Sequence, residues 1–189
     1  MKNLKKIIVL FIALAIVGCS KSDPAPSNPV PKPCSTASSD FQSLFGAGGT
    51  VTFDFDVHSY NFKVATNKTI CKIGYQSTAY NALNPYTIKI LDGTTVIYNQ
   101  PHVFTSTEVS YITPISTVNL VAGTTYTLER IQTNSGPNND QNIGNVKTAT
   151  FPLSSGDLTI TGSKFYFVSA NGTITISNTK IPFIDIVFQ

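Results

Sequence analysis

Histidines, cysteines and carboxylates are the side chains best suited to acid–base, nucleophilic or metal chemistry. This 189-residue chain holds few of them: 2 His, 3 Cys and 10 Asp plus Glu. His58 sits beside a strand-like run and His102 follows Pro101. No HxH, HExxH or paired-cysteine spacing accompanies either, so a zinc site has little support. Asp54 and Asp56 would project from one strand face, where two carboxylates could begin a calcium site or act as an acid–base pair. The same pattern also describes the solvated face of an outer strand. There is no GxSxG elbow and no phosphate loop, and the scattered acids form no visible glycosidase pair. The expectation is a non-enzymatic protein with no resident metal or cofactor, calcium being the one ion its loop oxygens could serve.

Two loops carry more promise, because binding residues concentrate on loops held by a rigid scaffold. One is Tyr80-Asn81-Ala82-Leu83-Asn84-Pro85-Tyr86, where Tyr80 and Tyr86 flank a polar turn. The other runs from Thr133 to Asn142 and reads TNSGPNNDQN. Tyrosine rings can stack on the apolar face of a sugar, while Asn138, Asn139 and Asp140 can bond hydroxyls or offer oxygens to calcium. The chain has no tryptophan, which counts against a sugar platform. Both stretches also fit ordinary connections between strands.

The first cysteine stands in a different setting. Lys2, Lys5 and Lys6 precede an unbroken apolar run from Ile7 to Val17. A helix of that length reaches roughly 16 Å, about half a bilayer core, so a signal segment over residues 1–18 fits better than a membrane span. The run ends in Ile16-Val17-Gly18-Cys19, which resembles the lipobox of bacterial lipoproteins. That resemblance implies cleavage before Cys19, a diacylglycerol on its thiol and often an acyl chain on its new amine. Each buried methylene contributes about 0.8 kcal/mol, so two or more chains anchor stably. Ser20, rather than Asp, follows the cysteine. By the same resemblance, this implies the outer membrane over retention at the inner one, with the leaflet left open.

Residues 19–39 read as a tether. Pro24, Pro26, Pro29, Pro31 and Pro33 exclude both helix and sheet ladder, leaving an extended, semi-rigid spacer. In an oxidising compartment the two remaining cysteines, Cys34 and Cys71, can pair, stapling the start of the domain to an early strand. The alternative is a buried free Cys71 with Cys34 loose in the tether. Removing the three signal lysines lowers Lys plus Arg from 13 to 10, equal to the 10 acidic residues. The mature chain is therefore about neutral, and nothing in its charge points to nucleic acid.

Residues 40–189 are the elements that must position any site, and they alternate. Thr50 to Val57 puts Val51, Phe53, Phe55 and Val57 on one face of a single strand, with Asp54 and Asp56 on the other. Further strands are expected at Tyr60–Val64, Lys68–Tyr75, Tyr86–Leu91, Thr95–Tyr98, Val109–Ile112, Val118–Leu120 and Thr124–Ile131. Leu158–Ile160, Phe165–Val168, Ile174–Ile176 and Ile184–Phe188 complete the series. Asp92-Gly93 and Asn171-Gly172 supply turn chemistry. Helical spacing is confined to Asp40–Phe45. Many short strands with turn signals predict an all-β fold, an antiparallel two-sheet β-sandwich.

The stretch from Phe62 to Glu129 resembles a family of bacterial extracellular domains of unknown function with a jelly-roll-like sandwich. The matching motifs are Ile70-Cys71-Lys72-Ile73-Gly74-Tyr75, Ile88-Lys89-Ile90-Leu91-Asp92-Gly93-Thr94 and Val118-Asn119-Leu120-Val121-Ala122-Gly123-Thr124-Thr125-Tyr126-Thr127-Leu128. The resemblance implies a jelly-roll-like fold and brings no catalytic set. The reading as a whole is a membrane-anchored binding domain for a glycan or other extracellular ligand. The alternative is an accessory subunit docking onto another cell-envelope protein.

Overall fold

The computed structural model describes residues 34–35, 39–52, 55–78, 84–132, 144–167 and 175–189, all within the unit Lys32–Gln189. The expected signal, Cys19, most of the tether, Phe53, Asp54 and Asn171-Gly172 lie outside the described residues. In chain order the elements are α1 (Asp40–Phe45), β1 (Thr50–Thr52), β2 (Val57–Val64), β3 (Lys68–Tyr75), β4 (Tyr86–Asp92) and β5 (Thr95–His102). Then come β6 (Ser110–Ile112), β7 (Val118–Leu120), β8 (Tyr126–Gln132), β9 (Gly144–Thr148) and β10 (Leu153–Ser155). β11 (Leu158–Tyr166), β12 (Thr175–Ser177), β13 (Lys180–Pro182) and β14 (Asp185–Phe188) follow.

The period of two in the sequence becomes two faces. On β2, Tyr60, Phe62 and Val64 are buried while Asn61 is exposed. Ile88 and Ile90 of β4, Tyr126 and Leu128 of β8, and Leu158 and Ile160 of β11 join them in one core. Each such side chain stabilises the fold by about 1.5–3 kcal/mol. These strands form a seven-stranded antiparallel sheet in the order β10-β11-β2-β8-β4-β5, with β12 also pairing β11. A four-stranded sheet, β14-β3-β6 with β7 also on β3, contributes Ile70, Ile73, Tyr75, Val118, Leu120 and Ile186 to the same core. A three-stranded sheet, β1-β9-β13, adds Ile181. The architecture is an all-β antiparallel two-sheet sandwich, jelly-roll-like in arrangement.

A helix as short as α1 is not stable alone. Ser39 caps it by accepting from the Gln42 N–H, and its Phe41 and Phe45 enter the core. Phe41 stacks on Tyr60 at 5.5 Å and meets Phe183 edge-on. Asp185 fixes the helix from outside the core. Its carboxylate accepts from Ser39 Oγ (2.6 Å), Gln42 Nε2 (2.9 Å) and Tyr111 Oη (2.6 Å). A fully buried carboxylate is tolerated only when hydrogen-bonded in this way. Gly74, the ladder partner of both Asp185 and Tyr111, makes room for the Tyr111 ring, which a Cβ there would strike.

Cys34 and Cys71 are disulfide-bonded, their Cα atoms 6.1 Å apart, within the range such bonds need. Cys71 occupies a β-bulge: Lys72 pairs Val187 and Ile70 pairs Phe188, leaving Cys71 as the extra residue. A bulge re-aims a side chain, and here Cys71 is turned out of the core that takes Ile70 and Ile73. Cys34 and the buried cap Ser39 thus belong to the domain rather than to the spacer assigned from prolines.

Three expectations need correction. Thr50 to Val57 is not one strand: β1 ends at Thr52 in the small sheet and β2 begins at Val57 in the large one. Val57 therefore shares the outer face of β2 with Ser59 and Asn61. Leu158–Ile160 and Phe165–Val168 are not separate strands. A shift of register between Ile160 and Gly162 lets β11 run through, as a bulge absorbs one residue. β9, β10 and β13 were missed because each is short with little alternation.

Candidate functional site

The large sheet aligns its strand ends in a single ladder row. Tyr166 pairs Val57, Val57 pairs Ile131, Ile131 pairs Thr87 and Thr87 pairs Pro101. One step further, Tyr86 pairs both Gln132 and His102. The loop that ends at Tyr86 and the loop that begins at Thr133 therefore leave from neighbouring strands at one end of the sandwich. Tyr80, Asn138, Asn139 and Asp140 lie outside the described residues.

Tyr86 is described, and it corrects the expectation of a sugar platform. It faces inward with Ile88 and Ile90 and is 2% exposed. Its ring meets Tyr75 edge-on at 5.2 Å, and its hydroxyl lies 3.2 Å from Ser77 Oγ. A ring with both faces inside the protein cannot stack on a ligand.

The inner-face row beneath the strand ends holds the most unusual residues of the molecule. Phe165 pairs His58, His58 pairs Arg130 and Arg130 pairs Ile88. His58 and Arg130 are both fully buried. The guanidinium of Arg130 lies 5.3 Å from the Tyr75 ring centroid and 5.2 Å from that of Tyr86. Each is a cation–π contact, strengthened by the absence of water. His58 packs edge-on against Phe165 at 5.0 Å. Nearby, His102 Nε2 lies 2.6 Å from Tyr98 Oη, which also accepts from the Ile115 N–H at 3.2 Å. Burial pushes the His102 imidazole below its usual pKa, so it is held neutral. Reasoning from sequence passed over Arg130. Its signal was present: it stands on the inward phase of β8, in step with Tyr126 and Leu128.

On the outer face of the same sheet, Glu129 accepts from Tyr166 Oη (3.1 Å) and pairs with Lys89 (3.4 Å). Lys164 lies over the Tyr166 ring. Burial, and then the neighbouring Glu129 charge, raise the Tyr166 phenol to about 12. The network is polar and partly exposed. Asp56 is described and half-buried. Among the described residues no group of three His, Cys, Asp or Glu side chains could hold a metal ion. Nor, among them, is any helix long and apolar enough to cross a membrane.

No protein-family model matches this chain, and no curated protein is significantly similar to it. What holds of the resemblance over Phe62–Glu129 is the all-β two-sheet sandwich.

Proposed function

We propose that the protein is a lipid-anchored, extracytoplasmic, non-enzymatic binding domain that takes a glycan at the loop-bearing end of its sandwich. The observation that carries this reading is the pairing of Tyr86 with Gln132. It gives the two loops richest in tyrosine, asparagine and aspartate a common end. At that end Tyr75, Tyr86, Phe104 and Arg130 pack against one another inside the sandwich, the kind of rigid support a preorganised site requires. Tyr80 is the stacking face, and Asn138, Asn139 and Asp140 bond the hydroxyls, with calcium as an auxiliary bridge. The lipobox resemblance at Cys19 and the proline-rich spacer supply the anchor and the reach, at the outer membrane.

A second reading, docking onto another envelope protein, draws on β5. Among the described residues this strand forms an edge of the large sheet and pairs only with β4. Val96 within it and Val103 just beyond it are 49% and 53% exposed. Edge strands are templates for pairing with another chain, although Pro101 removes one donor from this one.

The two readings separate on a glycan array probed with the mature, detergent-extracted protein, with and without calcium. The Tyr80→Ala, Asn138→Ala, Asn139→Ala, Asp140→Ala variant is run alongside. Glycan binding by the wild type and its loss in the variant is the expected result. Binding to no glycan, with recovery of a defined envelope protein after crosslinking, would replace the first reading with the second.

A further inference from the structure

At the end of the sandwich opposite the loops, where β3 begins and β7 ends, lies an open pocket of about 300 Å³. Asn67, Thr69, Asn119 and Gln189 line it, Lys68 stands in its wall and Leu120–Val121 form an apolar side. It is distinct from the loop end: β3 runs from Lys68 here to Tyr75 there, roughly 23 Å for a strand of that length. The volume is at the lower bound for small-molecule sites and suits one sugar ring.

The polar groups are oriented by the protein itself. Asn67 Oδ1 accepts from the Ala122 N–H at 2.9 Å. A backbone N–H can only donate, so this contact fixes the amide with its NH2 pointing away from Ala122. Asn119 Oδ1 accepts from the Thr69 hydroxyl at 2.9 Å; a hydroxyl can also accept, so it is the Asn67 contact alone that fixes an amide by donor chemistry. Among the described residues no hydrogen bond uses either Nδ2. Thr69 and Gln189 exchange two backbone hydrogen bonds, 2.9 and 3.3 Å, which hold the pocket wall rigid. Lys68 is neutralised by Asp157, Nζ to Oδ2 2.5 Å, so the pocket presents donors without a net call for an anion. Val121, 59% exposed, stands beside the buried Leu120.

We infer that this pocket is a second binding site, for a single neutral sugar ring. Two outward amide NH2 groups match ring and hydroxyl oxygens. The exposed side chain of Val121, backed by the buried Leu120, matches the C–H face of the ring. The pairing of Lys68 with Asp157 selects neutral over acidic sugars. This site goes beyond the loop-end reading and shares no residue with it.

The test is an amide NMR titration of the full mature chain in detergent micelles. The probes are neutral hexoses, an N-acetylhexosamine and, separately, a uronic acid. At least one neutral sugar should give saturable shifts at Thr69, Asn119 and Gln189 and at the side-chain NH2 groups of Asn67 and Asn119. A dissociation constant on the order of 1 mM is expected for so small a contact. Asn67→Asp and Asn119→Asp keep the oxygen that meets Ala122 or Thr69 and replace the outward donor by an acceptor. Each should weaken binding about tenfold, with the rest of the spectrum unchanged. No shift at the pocket with any neutral sugar would overturn the inference. So would a response to the uronic acid alone, or Asp variants that bind as well as the wild type. Shifts confined to residues flanking the loops would sink this site while leaving the loop-end reading intact.

Discussion

The two ends of the sandwich spend their polar side chains in opposite ways. At the loop end Arg130, Tyr75 and Tyr86 are inside the protein and packed on one another, with the buried His58 against Phe165. At the other end Asn67 and Asn119 commit one atom to the protein and leave the other facing outward. The first arrangement builds rigidity, since a buried charge is tolerated only where its surroundings hold it. The second builds recognition, since a preset donor need not be ordered when a ligand arrives. Polar residues alone therefore do not mark a site. The direction in which their unused atoms point does.

The sharpest way to break this contrast is to cut Arg130. Arg130→Ala removes two desolvated cation–π contacts, at about 2 kcal/mol each, and opens a cavity between two tyrosines. A loss of about 4 kcal/mol in a urea unfolding series is expected. Arg130→Met, which refills the space without the charge, should lose clearly less. A wild-type midpoint for Arg130→Ala would mean the cluster is not structural, and the loop end would then become the place to look for a ligand to Arg130.

Next in size is the Cys34–Cys71 bond, which acts on the strand that both ends share. Its sequence separation of 37 gives about 3–4 kcal/mol in the chain-entropy model. Cys71→Ser, or reductant, should lower the unfolding free energy by that amount while keeping one transition, because β3 contributes Ile70 and Ile73 to the single core. Two separated transitions would show that the ends unfold independently, and the rigid-support argument for the loop end would fail.

How much of this was legible beforehand follows from what strand periodicity can carry. Alternation located β2, β3, β4 and β8, because one buried face imposes a period of two. It misjudged Val57, since the outer face of β2 is itself covered there. It missed β13, whose lone core residue Ile181 shows no period. Tyr86 was misread for a similar reason. A tyrosine at the edge of a polar turn looks exposed, but its phase with Ile88 put it inside. The pocket was invisible, because Asn67 and Asn119 lie 52 positions apart and meet only through the pairing of β3 with β7. The Cys34–Cys71 pair was legible from compartment and count, whereas the bulge that aims Cys71 was not.

The smallest expected effect is on pH, and it separates the two ends without changing a contact. Burial holds His102 below its usual pKa, so the unfolded chain takes up a proton before the folded one does as pH falls past about 6.5. The neutral imidazole then contributes stability that is complete above that value and lost below it. One proton sets a ceiling of about 1.4 kcal/mol per pH unit, and water near the sheet edge keeps the slope well under it. Thermal melts between pH 7 and 5 should fall gently for the wild type and more nearly stay level for His102→Gln, whose amide can still meet Tyr98 Oη. The pocket holds no histidine, so sugar-induced shifts at Asn67 and Asn119 should be the same at both pH values while the fold persists. A pocket response that weakened in step with His102 would mean the ends are coupled through the core, and the division between a structural end and a recognising end would have to be given up.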